Sequence, residues 1–327
     1  MGVLVIAEAG MTHDGSLGNA MRMAEVAAEC GADAVKFQLH DAEAETTRDA
    51  PSPPYFEGES RWDYFRRTAF TDEQWARLRD ACAAAGIEFL CSPFSVEAVE
   101  RLERLGVARY KIGSGEVTNL ELIRAAAATG KPILLTSGMS SWAELDEAVA
   151  AAGENVTVLQ CTSLYPTPPE RVGLNVLAEL RERYGKPVGL SDHTLGPYAC
   201  FAAVALGASV VEKHFTLSRD MYGPDAHLAA EPDELEDLVE GVREIETMLA
   251  NPVDKDDLEA VAEMKRVFEK SVASTREIPA GAEISREMLA AKKPGTGIPA
   301  KRLPEVVGRR AAVVIPADTV VTEEMLA

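Results

Sequence analysis

CGADAVKF (30–37) joins the end of a helical pattern to a short apolar strand through one glycine. The same phrase returns as AGIEFL (85–90), LGVARYKI (105–112), TGKPILL (129–135), YGKPVGL (184–190) and LGASVVEK (206–213). A glycine just past a helix closes it in a left-handed turn and sends the chain back. Working outward from these joints, short β-branched or apolar runs predict strands at 3–7, 34–37, 88–90, 109–112, 133–135, 156–160, 188–190 and 209–211. Helical spacing fills the intervals, as in 19–29, 73–85, 142–152 and 197–206. Eight strands, each followed by a helix, predict an α/β protein with a (β/α)8 TIM barrel. The repeated joint favours the barrel over an open doubly wound sheet.

A helix over 233–250 is expected to close the barrel, giving a catalytic domain over 1–251, a charged linker over 252–270 and a small β-rich module over 271–327. In that module IPAGAEISREMLA (278–290) and IPADTVVTEEMLA (315–327) agree at seven of thirteen positions, so it is built from two similar halves. The long segment HDAEAETTRDAPSPPYFEGESRWDYF (40–65) follows the second strand, where a lid over a catalytic rim is expected.

Composition narrows the partners. Hydrophobic residues make up 46% of 327, enough for a large core, and the net charge is −20. That acidity counts against nucleic acid, whose binders present a basic face. No apolar run reaches the ~18 residues of a membrane span, and MGVLVIAEAG lacks the basic start of a signal peptide. Five scattered cysteines without a CxxC pair suit a reducing compartment, so a cytoplasmic protein is expected.

Barrel chemistry occurs where strands end, and here those ends are polar: Glu8; Lys36 and Gln38; Ser92; Lys111, Ser114 and Glu116; Thr136; Ser163 and Tyr165; Ser191, Asp192 and His193; Glu212, Lys213 and His214. Alternation along a strand places Lys36 with Gln38, Ser191 with His193, and Glu212 with His214 on one face each. His193 and His214 end neighbouring strands, a pair of imidazoles suited to a metal with open positions, with Asp192 and Glu212 placed to orient them. Two lysines among hydroxyls are what a phosphate cradle needs. Structural ion pairs of Lys36 and Lys111 with Glu8 and Glu116 are the plainer alternative. A Schiff-base aldolase lysine (Lys36, Lys111 or Lys213) is another.

The strings IAEAGMTHDG, GADAVKFQ, FLCSPFS, YKIGSGE, LLTSGM, QCTSLYPTP, GLSDHTLG, ALGAS, EKHFTL and GPD occur in order over nearly the whole chain. Together they resemble the N-acetylneuraminate (sialic acid) synthase family. The tail, with KKPGTGI and GRRA, is similar to that family's antifreeze-like (SAF) domain. The resemblance implies condensation of phosphoenolpyruvate with an open-chain 2-acetamido hexose, giving a nonulosonic acid and phosphate. It implies Mn²⁺ or Mg²⁺ on His193 and His214, and catalytic roles for Glu8, Lys36, Lys111 and Glu116. Phosphoenolpyruvate would lie on Lys36, Ser92, Lys111, Ser114, Thr136, Ser163 and Ser191, and the sugar on Gln38, Tyr165, Asp225 and Lys293. It further implies a domain-swapped homodimer. Lys293 stands where the family has arginine, and Thr12 where it has asparagine, so the sugar is left open. A carbohydrate-binding or coat protein without turnover is the non-enzymatic alternative.

Overall fold

The computed structural model describes residues 2–51 and 58–327 and separates into two compact units, Met1–Asn251 and Pro252–Ala327. In the first, β1 (Leu4–Gly10), β2 (Ala34–Leu39), β3 (Glu88–Pro93), β4 (Tyr110–Ile112), β5 (Ile133–Thr136), β6 (Val156–Cys161), β7 (Val188–Asp192) and β8 (Val210–His214) form one parallel sheet. Ladders run in the order β3-β2-β1-β8-β7-β6-β5-β4, so the first and last strands pair. Strands β3 and β4 pack side by side without a ladder among the described residues. The result is a nearly closed TIM-like barrel.

Helices lie between the strands: α1 (Leu17–Glu29), α2 (Ala42–Glu45), α3 (Arg61–Thr68), α4 (Asp72–Ala85), α5 (Val96–Leu105), α6 (Leu120–Ala128), α7 (Trp142–Ala152), α8 (Val176–Tyr184), α9 (Tyr198–Ala205) and α10 (Pro232–Ala250). Local chemistry starts and stops them. Thr71 with Gln74, and Ser141 with Glu144, form reciprocal caps at the starts of α4 and α7. All six joint glycines (31, 86, 106, 130, 185 and 207) have φ between 61° and 88°, a conformation costly for any side chain with a Cβ.

The strands differ in length from the expectation: β1, β7 and β8 continue through their polar ends to Gly10, Asp192 and His214. Apolar runs mark only the lower barrel. Above them the ladder continues, but the inward side chains become polar. Ile6, Ala34, Leu90, Leu134, Leu159 and Val210 form a buried apolar plug. Two residues further along the same strands come Glu8, Lys36, Ser92, Thr136, Cys161 and Glu212, all buried. Gly189 completes the plug on β7, since a Cβ there would lie 2.5 Å from both Leu159 Cδ2 and Val210 O.

Residues 52–57 of the expected lid lie outside the described residues; the rest of that segment includes α2 and α3. In the second unit, the stretch expected as a linker carries α11 (Ala262–Phe268). Beyond it, β9 (Ser271–Ser274) pairs antiparallel with β10 (Leu289–Lys292), and α12 spans Leu303–Val306. The internal repeat has a physical counterpart: Ile278 and Ile315, the first residues of the two halves, exchange backbone hydrogen bonds of 2.8 and 2.9 Å. Matched pairs Ile278/Ile315, Ile284/Val321 and Leu289/Leu326 share one small core.

Candidate active site

A cavity of about 690 Å³ opens above the plug, at the C-terminal ends of the strands. Its floor is a charge cluster. Lys36 Nζ lies 2.8 Å from Glu8 Oε2 and donates to Ser92 Oγ at 3.3 Å. Glu212 Oε1 accepts from Lys111 Nζ and from Ser191 Oγ, both at 2.9 Å, and sits 3.8 Å from Lys36 Nζ. Burial alone would push the Glu212 carboxyl up, but the two ammonium groups and Ser191 hold it down to about 2. Lys111 is drawn below the ordinary lysine range by burial and by neighbouring Lys36, so an added anion would be welcome beside it.

A second group of hydroxyls faces this cluster. Ser163 Oγ is buried without a hydrogen-bond partner. A Cβ on Gly138 would fall 2.4 Å from Ser114 Oγ and 2.5 Å from Ser163 Oγ. Only glycine lets the two hydroxyls pack this closely against position 138; both serines line the cavity, Ser114 Oγ donating to Cys161 Sγ at 3.4 Å, and the pair forms a small cradle suited to an oxyanion. Thr136 lines the cavity but its hydroxyl already donates to Ile112 O at 2.7 Å.

The two histidines stand together at the mouth, ring centroids 5.2 Å apart, and Tyr165 stacks on His193 at 4.2 Å. Nδ1–H of His193 donates to Thr162 O at 2.9 Å, so in the neutral ring Nε2 carries the lone pair. Burial, with His193 beside it, holds His214 neutral, and its buried Nδ1 has no hydrogen-bond partner. Asp225 Oδ2 is 4.0 Å from that nitrogen, and burial raises the Asp225 carboxyl to about 6. Thr162 therefore orients His193, Asp225 is the carboxylate beside His214 Nδ1, and neither Asp192 nor Glu212, the expected partners, bonds a histidine. Asp192 faces away, bonding Lys213 Nζ at 2.8 Å, and Lys213 also donates to Thr194 O. Alternation on β8 sends Glu212 and His214 inward and Lys213 outward, which removes it from the site.

Of the remaining expected residues, Gln38, Glu116 and Tyr165 line the cavity. Glu116 Oε2 accepts from Asn119, and burial pushes its carboxyl up. Lys111 pairs with Glu212 and not with Glu116, whereas the Lys36–Glu8 pair is present. Lys293 belongs to the second unit, where Nζ lies 4.8 Å from the Phe268 ring centroid. Sequence reasoning missed His40, Glu45, Phe65 and Phe94, which line one wall. They come from three separate segments and share no spacing; the only local signal is Asp41, which caps α2 and so places Glu45 one turn on.

Thr12 and His13, buried just after β1, do not line the cavity. Thr12 Oγ1 donates to Ala9 O, and His13 stacks on Phe70 at 4.6 Å while Nδ1 accepts from Gly15 N. Burial lowers the His13 pKa to about 4, with His40 adding to the effect. The folded state therefore refuses a proton that the unfolded chain takes up near 6.5, so this contribution to stability is full above pH 6.5 and is lost as pH falls towards 4. Wild-type stability is expected to drop by about 3 kcal/mol more than that of His13→Leu over this window. Urea midpoints at pH 7 and 4.5 measure it, and parallel curves for the two proteins would refute it.

Comparison with known proteins places this geometry among relatives. A family model described as the NeuB family matches residues 23–254, and one described as the SAF domain matches 269–327. The N,N'-diacetyllegionaminic acid synthase of Campylobacter jejuni is 35% identical over 98% of this chain and 99% of its own length. Human N-acetylneuraminate-9-phosphate synthase is 35% identical over 98% of this chain and 92% of its own. The crystal structure of N-acetylneuraminic acid synthetase from Leptospira borgpetersenii, in complex with citrate, is 30% identical with a TM-score of 0.71, covering 82% of this chain and 93% of that one.

Proposed function

We propose, from the premise that this chain belongs to the NeuB family, that it condenses phosphoenolpyruvate with an open-chain 2-acetamido hexose to form a nonulosonic acid and phosphate. One observation carries the reading. Two buried ammonium groups, the Ser114–Ser163 cradle and two histidines with available nitrogens face the same cavity. Phosphoenolpyruvate brings a carboxylate and a phosphate, which Lys36, Lys111 and the cradle hydroxyls can hold in place of part of their present hydrogen bonding. Among the described residues no group of three or more His, Cys, Asp or Glu forms a metal cage. Of the two expected ions, Mn²⁺ suits the imidazoles of His193 and His214 better than Mg²⁺, which takes oxygen ligands; Asp225, 4.0 Å from His214 Nδ1, could add one, with remaining positions for water and substrate oxygens. Bound there, the ion supplies Lewis-acid polarisation of the sugar aldehyde.

The carbon–carbon bond forms between C3 of the enol phosphate and the aldehyde carbon, leaving positive charge at C2. Water adds at C2, and cleavage of the C2–oxygen bond then releases phosphate. Glu8, held by Lys36 and Gln38, is placed to take the water's proton or to stabilise charge at C2. Gln38, Tyr165 and Asp225 line the side left for the sugar. A homodimer is part of the same proposal, and sedimentation measures it. The test is phosphate release across a panel of 2-acetamido and 2,4-diacetamido hexoses, with product mass. Release that needs phosphoenolpyruvate, one sugar and divalent metal together is expected; release without sugar, or unchanged after chelation, overturns the reading.

The cradle makes its own prediction. Gly138→Ala places a methyl group between Ser114 and Ser163. KM for phosphoenolpyruvate is expected to rise about tenfold or more, as the loss of one charge-assisted hydrogen bond allows. Thermal midpoint should change little. An unaltered KM would move the phosphate elsewhere.

A further inference from the structure

His40 is a buried residue of the cavity wall whose hydrogen bonds are over-determined. Nδ1 lies 2.8 Å from Glu45 Oε1, and Nε2 lies 2.9 Å from Gln38 Oε1. On its far side the Gln38 amide donates from Nε2 to Glu8 Oε1 at 2.7 Å. An ionised carboxylate only accepts, so Glu8 requires the amide nitrogen to face it and the amide oxygen to face His40. With Glu45 ionised as well, both neighbours of the imidazole are acceptors, and both ring nitrogens donate. Only the imidazolium has two N–H groups.

The surroundings favour that charge. The ring is sandwiched between Phe65 and Phe94, at 3.9 and 4.1 Å between centroids and 6° and 19° between planes. Aromatic faces attract a cation. Glu45 is itself buried, with Oε2 unpartnered, and a lone buried carboxylate needs a positive neighbour. Among the described residues, the charges of Glu116, after β4, and His13, after β1, also reach this ring, and Arg61 lines the same cavity. A neutral His40 would instead demand a protonated Glu45 donating to Nδ1, or a flipped Gln38 amide facing a protonated Glu8.

We propose that His40 is a positioning residue, carried as an imidazolium between Glu45 and Gln38, that fixes the Gln38 amide and through it the orientation and ionised state of Glu8. This deepens the proposed function, since Glu8 is the group it serves. The chain runs Glu45, His40, Gln38, Glu8, Lys36, each link 2.9 Å or shorter. It joins the segment after β2 to the barrel floor.

Two measurements test it on the full-length protein. The first is nitrogen NMR of histidine-labelled chain at neutral pH, with the His40 resonances assigned by loss in His40→Phe. Two protonated ring nitrogens are expected; a single protonated nitrogen overturns the proposal, whatever the enzyme's substrate. The second is kinetic. His40→Phe suits the aromatic sandwich but has no N–H, and kcat is expected to fall about tenfold or more with KM for phosphoenolpyruvate within about twofold. His40→Gln, which can still donate one N–H to Gln38, should retain more of kcat than His40→Phe. Equal kcat in the two variants, or no loss in either, overturns the positioning role. If wild-type protein itself shows no synthase turnover, the functional reading fails while the NMR result still stands.

Discussion

Glu212→Ala should lower the free energy of unfolding by about 3–5 kcal/mol, the cost of stranding buried charge. Its Oε1 is shared by Lys111 and Ser191 at 2.9 Å and faces Lys36 at 3.8 Å, with all four side chains buried. Removing it leaves one carboxylate, Glu8, for two ammonium groups. Glu212→Gln keeps the volume and one acceptor, so its loss should be smaller. Inorganic phosphate at high concentration should recover part of the lost stability in Glu212→Ala, and more than it adds to wild type, because it supplies the missing negative charge. Denaturation midpoints with and without phosphate check both effects. A loss under about 1 kcal/mol would mean the lysines are hydrated or paired differently.

The second large effect belongs to the imidazole pair. His193→Ala and His214→Ala are each expected to abolish tight Mn²⁺ binding by the metal-free chain, read as free ion by electron paramagnetic resonance. Turnover should fall about a thousandfold, since Lewis-acid stabilisation amounts to several kcal/mol. The rings are 5.2 Å apart, and His193 is already held by Thr162 with Nε2 left open, so neither variant should disturb the barrel beyond local packing. Unchanged Mn²⁺ binding in both variants would place the ion elsewhere.

Both predictions depend on side chains whose presence, but not whose partners, could be read along the chain. Period-two alternation correctly put Lys36 with Gln38 and Glu212 with His214 on the inner face. It could not say which carboxylate each lysine meets. Lys111 on β4 reaches Glu212 on β8, four strands away around the barrel, whereas the chain suggested Glu116 just beyond it. Likewise Asp192 alternates away from His193 and Glu212 spends its bonded oxygen on Lys111 and Ser191, whereas Thr162 and Asp225 reach the histidines from other loops.

The amino-acid sequence by itself determined the barrel, the paired repeat in the second unit and the ring of polar strand ends. Each is set by short-range rules: a glycine at six of the helix-to-strand joints, an apolar residue every second position, a repeated string. Tertiary structure alone decided the charge pairing on the cavity floor, the oxyanion cradle at Gly138 and the His40 sandwich. Those contacts join residues tens to more than a hundred positions apart, and only ring closure and the register between strands bring them within hydrogen-bonding reach.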